Sequence, residues 1–169
     1  MPKKIENVRE LLLKEGIRLL KEEGYSKFTV RSVAKACGLG LGTVYNYFPS
    51  KDALIATYLL DDWRTHLTMM QTCALEGVAR LECVYSHLEA FMERHQSLFS
   101  DPKAKVSYAN ASSTWHKQLL SQLVEIVLPV CEGENRQFLA EFIVEAMLVH
   151  SARGADFSLL VPIFEKLLK

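Results

Sequence analysis

Thr43, Tyr45, Asn46 and Tyr47 stand close together in the short segment Leu41 to Phe48. Presented from one helix, their hydroxyl and amide groups could donate and accept hydrogen bonds. Other residue types that carry chemistry are scattered. Cys37, Cys73, Cys83 and Cys131 include no Cys-x-x-Cys pair, so they read as small apolar residues of a reducing compartment rather than a zinc or redox site. His66, His87, His95, His116 and His150 contain no two-His i, i+4 pair, and neither a metal nor another cofactor is expected. The chain has no Gly-rich phosphate loop, no Gly-x-Ser-x-Gly and no carboxylate or Cys/His grouping at catalytic spacing, which argues against an enzyme.

The elements that must position those side chains follow from the surrounding pattern. Val30, Val33, Ala34 and Cys37 recur at helical spacing, and Gly38-Leu39-Gly40 interrupts them. A second short helix then runs from Leu41 to Phe48. Pro49 forbids its continuation, because proline lacks an amide hydrogen and clashes with the preceding turn. Ser50 is a natural N-cap for the next helix, starting at Lys51. Two short helices joined by a glycine-marked turn make a helix-turn-helix, whose second helix would enter the DNA major groove.

The stretch TVRSVAKACGLGLGTVYNYFPSKDAL resembles the signature of the TetR/AcrR family of bacterial transcriptional regulators. The matching elements are Thr29, Val33-Ala34, Gly38-Leu39, Thr43-Val44-Tyr45, Tyr47-Phe48 and Ser50-Lys51-Asp52. The resemblance reaches back to about residue 5 and covers roughly the first third of the chain. It implies that Thr29 meets a phosphate, that Arg31 reaches a base edge, and that Thr43 and Asn46 project from the recognition helix. Tyr45 and Tyr47 would donate to phosphates, Lys51 would clamp another, and Lys3 and Lys4 would form a basic arm. Gly40 stands where a Ser or Thr often caps the recognition helix. Leu41 and Gly42 stand where polar side chains often reach bases, so base reading would rest on few hydrogen bonds, with Leu41 against a thymine methyl or packed inward.

The formal charge of zero hides an asymmetry. Residues 1–60 hold ten Lys or Arg against six Asp or Glu, a net +4, and the remainder holds ten against fourteen, a net −4. A basic head on an acidic body suits a head that meets a polyanion. No run approaches the ~18 apolar residues of a membrane span, and the start has no signal-peptide pattern. A cytoplasmic protein without membrane contact is expected.

The rest of the chain reads as helical throughout, about nine helices in all. Residues 1–50 form the expected DNA-binding head and 51–169 the body. Helix 1 spans Ile5 to Glu23, with Gly16 small enough for close helix approach. The body helices are expected at 60–75, 78–99, about 112–127 and 137–153, with a last one after Asp156 or Ser158. Asp101-Pro102 is read as a break, with Lys103 to Ala111 a loop or short helix. The helix at 137–153 is apolar nearly all round, so it must be covered on more than one side, either as a central core helix or by a second subunit. In the resembled family the C-terminal helices pair across a two-fold axis. That implies a homodimer whose interface uses Phe138, Phe142, Met147, Val149, Leu160 and Phe164. The family's body usually encloses a pocket for a small effector. Residues of suitable type are Trp63, His66, Met70, Tyr85, Phe91, His95, Tyr108, Trp115 and His150. The function implied is a ligand-responsive repressor on a palindromic operator, or a relative whose body binds a partner protein.

Overall fold

The structure is a computed structural model that describes residues 7–169, the side chains of 108–115 excepted. Lys3, Lys4 and Ile5 therefore lie outside the described residues, as do the side chains of Tyr108 and Trp115. Every regular element among the described residues is helical: nine α-helices and two short 3-10 turns. The fold is all-α, with helix-turn-helix elements at the N-terminal end and a larger helical bundle after them. The chain packs as two compact units. One runs to Asp62 and takes in Ser97–Ser107; the other comprises Trp63–Gln96 and Tyr108–Lys169. The first thus extends past residue 50.

In the first unit, α1 (Val8–Glu23) buries Leu12, Leu13, Gly16 and Leu19. A Cβ at Gly16 would sit 2.8 Å from a Leu54 methyl, so the missing side chain is the space that Leu54 fills. α2 (Val30–Cys37) opens with a capping box: Thr29 Oγ1 accepts from the Ser32 amide at 3.0 Å, and the Thr29 amide donates to Ser32 Oγ at 3.3 Å. Gly38 ends the helix at φ 64°, where a side chain would be strained, and the Leu39 amide folds back to the Ala34 carbonyl at 3.0 Å. α3 (Leu41–Tyr47) follows at once from Gly40 and stops at Phe48. Phe28, Val33, Val44, Phe48, Leu54 and Ile55 form the core beneath these helices.

α4 (Lys51–Gln71) starts at Ser50, whose hydroxyl accepts from the Ala53 amide at 3.0 Å. It is one uninterrupted helix, with no junction near Leu60. The reason is periodicity: Leu59, Trp63, His66 and Met70 continue a single buried stripe. α5 (Gly77–Arg94) ends before the expected residue 99, and α6 (Gln96–Ser100) is a separate short helix.

The expected break at Asp101-Pro102 is instead a helix start. Asp101 Oδ1 accepts from the Lys103 and Ala104 amides at 2.8 and 3.1 Å, and Pro102 occupies the first helical position, where its missing N–H costs nothing. α7 (Pro102–Val127) then runs straight through Ser112-Ser113-Thr114.

The second unit is built around α5. Its residues Leu81, Val84, Tyr85, Leu88 and Phe91 are buried, as are Leu123 and Val127 of α7 and Ala140, Ile143, Val144 and Met147 of α8 (Arg136–Ser151). After a 3-10 turn at Phe157–Leu159, α9 (Val161–Leu167) adds Phe164. Burying each large apolar side chain contributes about 1.5–3 kcal/mol. Met147, Leu160 and Phe164 are 0, 3 and 0% exposed in this core. Their assignment to a subunit interface is corrected on that ground: each is already covered by its own chain.

Candidate DNA-binding face

The capping box fixes the start of α2, and Arg31 is exposed in its first turn. Thr29 is also exposed. Its oxygen accepts the Ser32 amide, so a phosphate contact would have to use its O–H as donor. On α3 the short length leaves one anchoring side chain, Val44, buried. Gly42, Tyr45 and Asn46 fall at i, i+3 and i+4, and all three are exposed on one stripe. Tyr45 and Tyr47 are 48 and 45% exposed, so about half of each side chain is open to a ligand. Thr43 and Leu41 are half-buried at the flanks. Leu41 therefore offers only part of its surface to a base. No atom lies within 4 Å of where a Gly42 Cβ would be. The fold itself makes no use of that glycine's smallness.

Lys51 is more tied down than its sequence position suggests. Its Nζ donates to the Tyr25 carbonyl at 3.1 Å and lies 3.8 Å from the centre of the Tyr25 ring. An ammonium has three donors, so a phosphate contact is compatible with this tether. Lys35, which motif matching passes over, is exposed one turn beyond Arg31 on α2. The i, i+4 spacing of Arg31 and Lys35 was the available signal.

In the second unit the proposed pocket residues divide. Trp63, His66, Phe91 and His95 come together edge to face, with ring centres 5.4 Å apart for Trp63 and Phe91, 6.0 Å for His66 and Phe91, and 4.7 Å for Phe91 and His95. Trp63 Nε1 donates to Gln122 Oε1 at 2.9 Å. His87, which spacing did not single out, joins the group through His66, Nδ1 to Nδ1 at 3.3 Å. Two helices bring these histidines together, so no short sequence interval could reveal the pair. Met70 is buried. Tyr85 packs instead on Phe157, at 5.1 Å, and donates its hydroxyl to the Ala155 carbonyl. His150 lies on α8 with its Nδ1 buried and lacking a hydrogen-bond partner. Among the described residues no group of three or more His, Cys, Asp or Glu is arranged to hold a metal ion. No helix searched among them is long and apolar enough to cross a membrane.

Two short helices at a glycine turn, with a donor-bearing outer stripe, define a helix-turn-helix DNA-binding protein. Residues 12–58 match the family model for bacterial regulatory proteins of the tetR family. The chain is 38% identical to the uncharacterized HTH-type transcriptional regulator YvdT of Bacillus subtilis, over 85% of this chain and 80% of that protein. It is 24% identical to the HTH-type transcriptional repressor DhaR of a Mycobacterium species, over 88% of this chain and 80% of that protein. A TetR-like transcriptional regulator from Rhodococcus sp. RHA1 shares the fold, with a TM-score of 0.57 at 15% identity, covering 98% of this chain and 96% of that one. The chain belongs to the TetR family: it is a DNA-binding transcriptional regulator, not an enzyme.

Proposed function

We propose that the chain acts as a homodimeric, effector-responsive repressor that binds a palindromic operator. The observation that carries this reading is a set of exposed apolar side chains on the C-terminal helices, distinct in kind from the DNA-binding stripe. Phe138, Phe142 and Val149 on α8 are 70, 51 and 45% exposed, and Leu159 and Ile163 near α9 are 60 and 50% exposed. Large apolar groups gathered on the C-terminal helices suit a self-complementary two-fold contact. A dimer would set two α3 helices against two half-sites about one DNA turn apart, or a multiple of it. Repression is favoured over activation because the relative DhaR, matched over 80% of its length, is a named repressor.

An effector would bind in the second unit and act through α4, which begins with Lys51 beside α3 and ends at Gln71. The aromatic and histidine group at Trp63, His66, Phe91 and His95 is the favoured location. A second reading has support in the same residues: they are 2–6% exposed and packed against one another, as in a filled core. A partner protein would then replace the small molecule. The test is linkage. A compound that raises the protein's melting temperature should weaken operator binding, and operator should weaken the compound's binding by the same factor. A bound compound that leaves operator affinity unchanged contradicts the effector reading.

A further inference from the structure

Lys51 is held by Tyr25, and Tyr25 is held in turn. The Tyr25 hydroxyl donates to Asp52 Oδ1 at 2.7 Å, and the other carboxylate oxygen of Asp52 accepts from Ser107 Oγ at 3.1 Å. Tyr25 is 4% exposed, and burial raises its hydroxyl above the ordinary tyrosine pKa, with Ser107 opposing through a hydrogen bond and Asp52 adding to the rise. The phenol therefore stays a neutral donor to the carboxylate. Ser107 lies on α7, five residues beyond Pro102, and the segment Ser97–Ser107 packs within the first unit through Leu98 and Ala104, 5 and 1% exposed. Past Ser107 the same helix continues into the second unit.

We infer that Asp52 is a positioning residue through which the start of α7 sets the Lys51 ammonium for its phosphate contact. The inference rests on the reading of Lys51 as a phosphate clamp. Its physical basis is the path Ser107–Asp52–Tyr25–Lys51: the Ser107 and Tyr25 hydroxyls donate to Asp52, and the Lys51 ammonium lies over the Tyr25 ring while donating to the Tyr25 backbone carbonyl. A carboxylate accepting from two hydroxyls on opposite oxygens is held in one orientation, and each charge-assisted bond is stronger than a neutral one. Lysine has a long, rotamer-rich side chain, so holding it in place before DNA arrives removes an ordering cost from binding. The path gives α7, as well as α4, a hold on the DNA-binding end.

Ser107→Ala tests this cleanly, since Ser107 is exposed and its loss changes no charge. Operator affinity would be measured by fluorescence anisotropy across a salt series for wild type, Ser107→Ala, Lys51→Ala and the double variant. Lys51→Ala should lower affinity and reduce the slope of log K against log [salt] by about one. Ser107→Ala should weaken binding about threefold in the wild-type background and have no effect when Lys51 is already alanine. Equal losses in both backgrounds, or wild-type affinity for Ser107→Ala, would overturn the relay. An unchanged salt slope for Lys51→Ala would show instead that the phosphate clamp itself is absent, and the relay would fall with it.

Discussion

Gly42 is exposed in the first turn of α3, and nothing in the protein occupies the place of its missing side chain. Replacing such a glycine by alanine stabilises a fold by about 0.4–1 kcal/mol, mainly by restricting the unfolded chain. If the α3 stripe of Gly42, Tyr45 and Asn46 seats against DNA, a methyl there would push the helix away. Gly42→Ala should therefore raise the melting temperature while weakening operator binding about tenfold, measured on the same preparation. A variant that is stabilised and binds as wild type would remove Gly42 from the interface. The cysteines allow a separate test at this scale. Cys73 is held below the ordinary thiol pKa, first by a hydrogen bond from Cys83 and then by the Leu75 backbone and the Arg80 charge. Burial and the Cys73 sulfur push Cys83 up to about 11, and burial raises Cys131. Near pH 8 Cys73 carries the largest thiolate fraction, so alkylation followed by peptide mass mapping should label it first and buried Cys131 last.

Among the elements, α8 shows how a sequence pattern can name a surface without resolving its sides. An apolar stripe nearly all round the helix says that two faces need cover. It does not say which face meets the chain's own core. The structure assigns Ala140, Ile143, Val144 and Met147 to that core and leaves Phe138, Phe142 and Val149 outward. A charge at Met147 would test the core rather than a dimer. Phe142→Glu combined with Ile163→Glu is the informative variant, both positions being about half exposed. Analytical ultracentrifugation should give a monomer with unchanged helical circular dichroism and operator affinity lower by more than tenfold; a dimer of wild-type strength would place the interface elsewhere. The α6–α7 region was less legible for a local reason. Asp-Pro marks a helix start as readily as a break, and only the cap bonds of Asp101 decide between them. The helix-turn-helix was legible almost to the residue, because Thr29, Gly38, Pro49 and Ser50 each fix a helix end through local bonding or backbone geometry.

For the whole molecule, the site divides along the same line. Candidates that lie in a single short segment, such as Arg31, Tyr45 and Asn46, could be named from the family motif. Those brought together across helices could not: His87 reaches His66, and Ser107 reaches Asp52, only once the chain is folded. The central claim is that Thr29 to Lys51 reads DNA sequence, with Arg31 at a base edge. It is tested most directly by selecting bound duplexes from a random pool with the purified protein and with Arg31→Ala, at one fixed salt concentration. The expected result is a palindromic motif of two half-sites for the wild type. For Arg31→Ala, one position in each half-site should relax and specific affinity should fall by ~1–3 kcal/mol, with non-specific binding little changed. Enrichment of no sequence by the wild type, or of the same motif at the same strength by Arg31→Ala, would contradict it.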